Sequence, residues 1–141
     1  MLLVLDSNEY LFAFGAAKQP ASVQLVEWLT THHQTHQIRI PRLIVEEIRR
    51  NVSAEVFREV LEVIQLFTTT DEDILVPFEF GVKYERHGLK PADAFIAAYT
   101  EWVGAHVLIR EHRHFLTRQV DLPFQVVRAQ NFLDHHMLRP R

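Results

Sequence analysis

The chain opens with an unbroken apolar run, Leu2 to Leu5, that stops at Asp6, Ser7 and Asn8. A short continuous run of this kind is the pattern of a strand buried on both faces, and its far end presents an acid. Glu9 to Ala17 then reads as a helix with Gly15 near its end. Ser22 reads as the N-cap of a second helix running to about Thr35, with Leu25, Val26 and Leu29 on its inward side. Ile38 to Ile40 is a second short strand, and Pro41 opens the helix RLIVEEIRRNV, whose Leu43, Ile44, Ile48 and Val52 form a buried stripe. Ser53 caps a further helix in which Val56, Phe57, Val60, Leu61 and Ile64 recur at helical spacing. Thr68 to Asp73 reads as a solvated connection because Asp71, Glu72 and Asp73 stand together. Pro77 leads into a short amphipathic helix through Tyr84 and Arg86.

The stretch from Gly88 to Leu116 carries the sharpest pattern. Pro91 suits the first turn of a helix, which places the carboxylate of Asp93 near the positive end of the helix dipole. Ile96, Ala97 and Thr100 follow on the same side, and the small residues of AFIAAY allow close packing on a sheet. After Gly104, a helix stop, HVLI reads as a buried strand that delivers the polar cluster Arg110 to His114 at its C-terminal end. Phe124 to Val127 is a last edge strand and Asn131 to Arg141 a tail. The predicted order, β-α-α-β-α-α-α-α-β-β, is that of an α/β fold with a parallel sheet covered by helices on both faces.

At 141 residues with 48% hydrophobic content, the chain supports one domain, residues 1–141, with a full core. It contains no Cys, which removes disulfides and thiolate metal sites and fits a reducing, cytoplasmic location. Asp6 and Glu9 interrupt the apolar start, so a signal peptide is not expected, and no apolar run approaches the roughly 18 residues of a membrane span. A formal charge of −3 excludes a broad basic surface for nucleic acid but not local arginine contacts to phosphate.

Several residues carry candidate chemistry. An acid at the end of a first strand is a rigid oxygen donor for a divalent metal; equally, Asp6 is placed to cap the next helix. Glu47 lies near the inward stripe of its helix, whereas Glu46 is turned by about 100° from it. Glu47 either points into a cleft or pairs at the surface near Arg50 and Asn51. His32 and His36 have the i, i+4 spacing of a metal pair, but with His33 they fit better as a solvated helix end. Arg110 and Arg113 are placed either for phosphate contacts or for surface ion pairs.

Taken together, Asp6 after its strand, Glu47 within IPRLIVEEI, the GLKPADAFIAA helix start and the LIREHRHFL strand exit resemble the PIN domain family, over nearly the whole chain. The resemblance implies a three-layer α/β/α sandwich with a central parallel sheet. It also implies an acidic pocket that binds Mg²⁺ or Mn²⁺ and cleaves single-stranded RNA, as in VapC-like toxins held in check by an antitoxin. It carries the family's acids to Asp6, Glu47 and Asp93 as metal ligands and catalytic groups. The family's fourth acid or asparagine falls on His112, with Glu111 beside it as the catalytic carboxylate or a supporting group. Ser7, Asn8, Arg110, His112 and Arg113 are then supporting or substrate-binding residues. His112 motivates a preference for Mn²⁺, since imidazole is a poor partner for Mg²⁺. The helix from Val56 to Phe67 has apolar residues enough for a homodimer seam. The rival expectation is a PIN-fold module that binds RNA or protein without efficient chemistry. An aspartyl-phosphate protein ranks below both, because no DxD or paired-Asp motif follows the first strand and a late strand offers no convincing lysine.

Overall fold

The computed structural model describes residues 1–111 and 122–137. Five strands form one sheet in the order β3-β2-β1-β4-β5, and every neighbouring pair is parallel. They are β1 (Leu2–Leu5), β2 (Gln37–Pro41), β3 (Thr68–Asp71), β4 (Val107–Ile109) and β5 (Gln125–Val127). Parallel strands need crossovers, and seven described helices supply them or flank the sheet: α1 (Ser7–Phe14), α2 (Pro20–Thr31), α3 (Arg42–Asn51), α4 (Ala54–Phe67), α5 (Phe78–Arg86), α6 (Pro91–Trp102) and α7 (Ala129–Met137). The architecture is the three-layer α/β/α sandwich with a central parallel sheet that the residue pattern implies. Among the described residues, no helix is long and apolar enough to cross a membrane.

The core lies on the central strands. Leu3, Val4, Leu108 and Ile109 are fully buried, as is Ile40 on β2. Against them pack the small residues of α6, with Ala97, Ala98 and Thr100 inaccessible to solvent. Thr100 satisfies its buried hydroxyl by donating to the Ile96 carbonyl at 2.7 Å. On α4, Val60 and Ile64 are buried while Leu66 is 74% exposed, so most of that helix's apolar stripe is core.

The structure corrects four expectations. Thr68–Asp71 is not a solvated connection but β3, paired with β2 from Ile38↔Thr68 to Pro41↔Asp71. Three threonines suit an edge strand, and Asp71 is 6% exposed because Arg39 and Tyr99 satisfy its carboxylate. Asn131 to Met137 is not a tail: it belongs to α7, which buries Phe132 and Leu133 and packs on α2, and the rest of the expected tail lies outside the described residues. Ser22 does not cap α2. Gln19 holds that place with Pro20 in the first turn, and Ser22 is turned inward to Glu9. Finally, α2 ends at Thr31, so His32 and His36 do not share a helix. The His32 ring stacks on Trp28 at 4.0 Å between centroids, and the His36 ring meets Trp28 edge-on at 4.9 Å.

Candidate active site

Strand order reverses between β1 and β4: the chain winds outward through β2 and β3 on one side and through β4 and β5 on the other. In open parallel sheets the crevice beyond the carboxyl ends of the strands at such a switch point is where ligands bind. Asp6 stands there, directly after β1, with its backbone N–H on the Ile109 carbonyl at 3.0 Å. Arg110 stands there too, directly after β4. Asp93 arrives on the third residue of α6, whose start is set by Lys90 as N-cap and Pro91 in the first position. Glu47 comes from the middle of α3, where it is half-buried.

These groups act on one another electrostatically. Asp6 is 3% exposed, and burial pushes its carboxyl above the usual range. Arg110 and the backbone N–H of Ser7 pull it down, and the charges of Glu47 and Asp93 push it up again. Arg110 lies between two of the acids: Nη1 is 3.4 Å from Asp6 Oδ2 and Nη2 is 3.1 Å from Asp93 Oδ1. Glu46 faces elsewhere, in an exposed pair with Arg49 at 2.6 Å. Asn51 reaches the backbone carbonyl of Glu47, at 2.7 Å, not its carboxylate.

Asn8 is half-buried and Ser7 buried beside this group at the start of α1. Glu111 points another way. Its Oε2 accepts from the Ala129 N–H at 3.1 Å, at the first turn of α7, and it also meets Glu9. Glu9 is the residue that sequence reasoning passed over. It is fully buried on α1, accepts from the Ser22 hydroxyl at 3.1 Å, and has its pKa pushed up to about 9, first by burial and then by the hydrogen bond to Glu111. Its Oε2 is buried without a hydrogen-bond partner, an environment that favours the neutral carboxyl. The signal available in the sequence was its position three residues after Asp6, one helical turn on. His112 and Arg113 lie outside the described residues.

By donor chemistry, Asp6, Glu47 and Asp93 suit a hard divalent cation: all three offer carboxylate oxygens, and the rise of the Asp6 pKa from its two neighbours is the repulsion such an ion relieves. What an ion would meet there is the guanidinium of Arg110. Among the described residues, no three His, Cys, Asp or Glu side chains are grouped closely enough to hold a metal.

No protein-family model matches the sequence, and no curated protein matches it. Solved structures do. VapBC2 from Rickettsia felis, crystallised with a DNA fragment from its promoter, contains a chain that aligns with a TM-score of 0.63 at 15% identity, over 89% of this chain and 97% of that one. FitAcB from Neisseria gonorrhoeae contains another, with a TM-score of 0.60 at 16% identity, over 91% of this chain and 98% of that one. At these identities the likeness is one of fold: this chain has the same α/β architecture along nearly the full length of both.

Proposed function

We propose that this chain is a PIN-type endoribonuclease that cleaves single-stranded RNA at the cleft of Asp6, Glu47, Asp93 and Arg110, with Mg²⁺ or Mn²⁺. One observation carries the reading. Carboxylates from a strand end, a helix start and a helix interior converge at the topological switch point, near enough for Glu47 and Asp93 to raise the pKa of Asp6. Asp6 and Asp93 would hold the ion, and Glu47 would complete its shell or orient a water. When bound, the ion supplies a water of lowered pKa and neutralises charge developing on the phosphate.

The remaining roles belong to the chain itself. The backbone N–H of Ser7 and the rigid end of β1 fix the Asp6 carboxylate. Arg110 is the cation matched in shape to a phosphate. Glu111, occupied by the α7 N-terminus and Glu9, supports the end of β4. The likeness in fold to VapBC2 and FitAcB favours a toxin–antitoxin role, with an antitoxin segment covering the cleft.

The test is cleavage of a fluorescent single-stranded RNA in Mg²⁺ and in Mn²⁺. Activity lost on chelation and in Asp93→Asn supports the reading; activity undiminished in Asp93→Asn sinks it. The ion pairs of Arg110 favour a second reading, a PIN-fold module that binds RNA without cutting it. RNA retention without cleavage in either metal would select that one.

A further inference from the structure

The arginine at the centre of the cleft is not held as a surface arginine is. Its side chain is 12% exposed, and its two terminal nitrogens divide between acids on different elements, Asp6 at the end of β1 and Asp93 in the first turn of α6. The guanidinium therefore bridges the two acids. The backbone beneath it is pinned, because the Arg110 N–H donates to the Val127 carbonyl at 2.9 Å and carries the β4–β5 ladder one residue past its last strand position. Any shift of the charge therefore runs through the side-chain torsions rather than the backbone. The nearest approaches, 3.1 Å to Asp93 and 3.4 Å to Asp6, are longer than the usual charge-assisted hydrogen bond of an arginine to a carboxylate.

We infer that Arg110 is a tethered cation that holds Asp6 and Asp93 together in place of a metal and competes with divalent ions for the same two carboxylates. The inference rests on the ribonuclease reading for the identity of the ion's ligands. A guanidinium and a divalent ion on one pair of carboxylates repel each other, so an ion entering the cleft must turn Arg110 out. Two consequences follow from the geometry. The acids are neutralised without an ion, which keeps the cleft from opening by self-repulsion. The affinity for metal is lowered by the work of displacing the arginine, which sets the ion concentration the cleft needs. Once displaced, the guanidinium stays tethered at the end of β4, a phosphate ligand beside the ion.

The experiment is a calorimetric titration of Mn²⁺ into the wild type, Arg110→Gln and Asp93→Asn, with the melting temperature of each recorded with and without Mn²⁺. Competition predicts that Arg110→Gln binds Mn²⁺ about tenfold more tightly than the wild type or better, the effect of removing one well-placed like charge. It also predicts that Arg110→Gln melts lower without the ion and gains more than the wild type when Mn²⁺ is added. Binding should be lost in Asp93→Asn. Equal affinity in the wild type and Arg110→Gln overturns the competition and leaves the ribonuclease reading standing. No binding to either overturns both. Should Arg110→Gln fail to fold, Arg110→Lys takes its place: a point charge unable to span both acids should give an affinity between the two, and one equal to the wild type counts against the inference.

Discussion

Arg39 grips Asp71 with two arms of its guanidinium, at 2.9 Å through Nε and 2.5 Å through Nη2, whereas Arg110 is shared between Asp6 and Asp93, with nearest approaches of 3.4 and 3.1 Å. The first joins two neighbouring strands, and the second joins the ends of β1 and β4 to the start of α6. The first is completed by Tyr99, whose hydroxyl donates to Asp71 Oδ2 at 2.5 Å. Burial alone would raise the Asp71 pKa, but the hydrogen bonds from Arg39 and Tyr99 hold it below the usual carboxylate range. At Asp6 the balance runs the other way, because burial outweighs the charge of Arg110 and the Ser7 N–H, and two further acids add to it. The same residue types thus give one group that fixes β2 to β3 and another in which a single arginine is shared between two acids. Geometry, not composition, separates a structural ion pair from a candidate site.

That contrast can be broken by exchanging the roles. Asp6→Asn is expected to reduce RNA cleavage by on the order of a hundredfold, with the melting temperature unchanged or higher, since a buried carboxylate under repulsion is removed. A melting temperature that falls steeply would mean that Asp6 is structural after all. Asp71→Ala should do the opposite. It leaves Arg39 and Tyr99 facing a lost partner, at a cost of about 2 kcal/mol in a urea unfolding experiment, while the folded fraction keeps its cleavage rate. Loss of cleavage without loss of stability in that variant would reverse the assignment.

The pH dependence sharpens the comparison further, because the two aspartates contribute with opposite sign. Asp71 has a lowered folded pKa, so its stabilisation is present above its unfolded value of 3.8 and is lost as pH falls through the lower folded value. Asp6 has a raised folded pKa, so the folded state holds its proton more tightly, and stability from this group falls as pH rises from 3.8 through the folded value. Glu9 behaves like Asp6 over a wider window, from its ordinary 4.5 to about 9. Unfolding midpoints measured from pH 5 to pH 9 should therefore decline less in Glu9→Gln, which keeps the neutral form, than in the wild type. A wild type and variant with parallel profiles would show that Glu9 is ionised throughout. The smallest effect belongs to the other acid of α3: Glu46→Ala removes only an exposed pair with Arg49 and should change stability by less than about 0.5 kcal/mol and cleavage not at all.

How much of this was legible beforehand varies by element. Helical geometry placed Glu47 nearer the inward stripe than Glu46, because a turn of about 100° per residue puts neighbours on different faces, but it did not decide which of them is the second acid. Asp93 was legible because Pro91 and the small residues after it fix both the helix start and its inward side. Asp71 was misread. Three acids in a row look solvated, and nothing local announces that Arg39, 32 positions earlier, and Tyr99, 28 positions later, close around the first of them. Glu9 was missed for a related reason: its partners Ser22 and Glu111 lie on other elements, and only their approach makes burial of the carboxyl tolerable.

The sequence by itself determined the alternation of apolar strands and amphipathic helices, and hence the parallel α/β sandwich, because burial pattern and capping act over a few residues and are written there in order. It also determined that Asp6 would end the first strand and that Asp93 would sit at a helix start. The tertiary structure alone decided that both acids would meet across the switch point, that Arg110 would stand between them, and that Asp71 would be locked by Arg39 and Tyr99. Charge interactions depend on separation in space and on exclusion of water, and both are set only when distant elements pack.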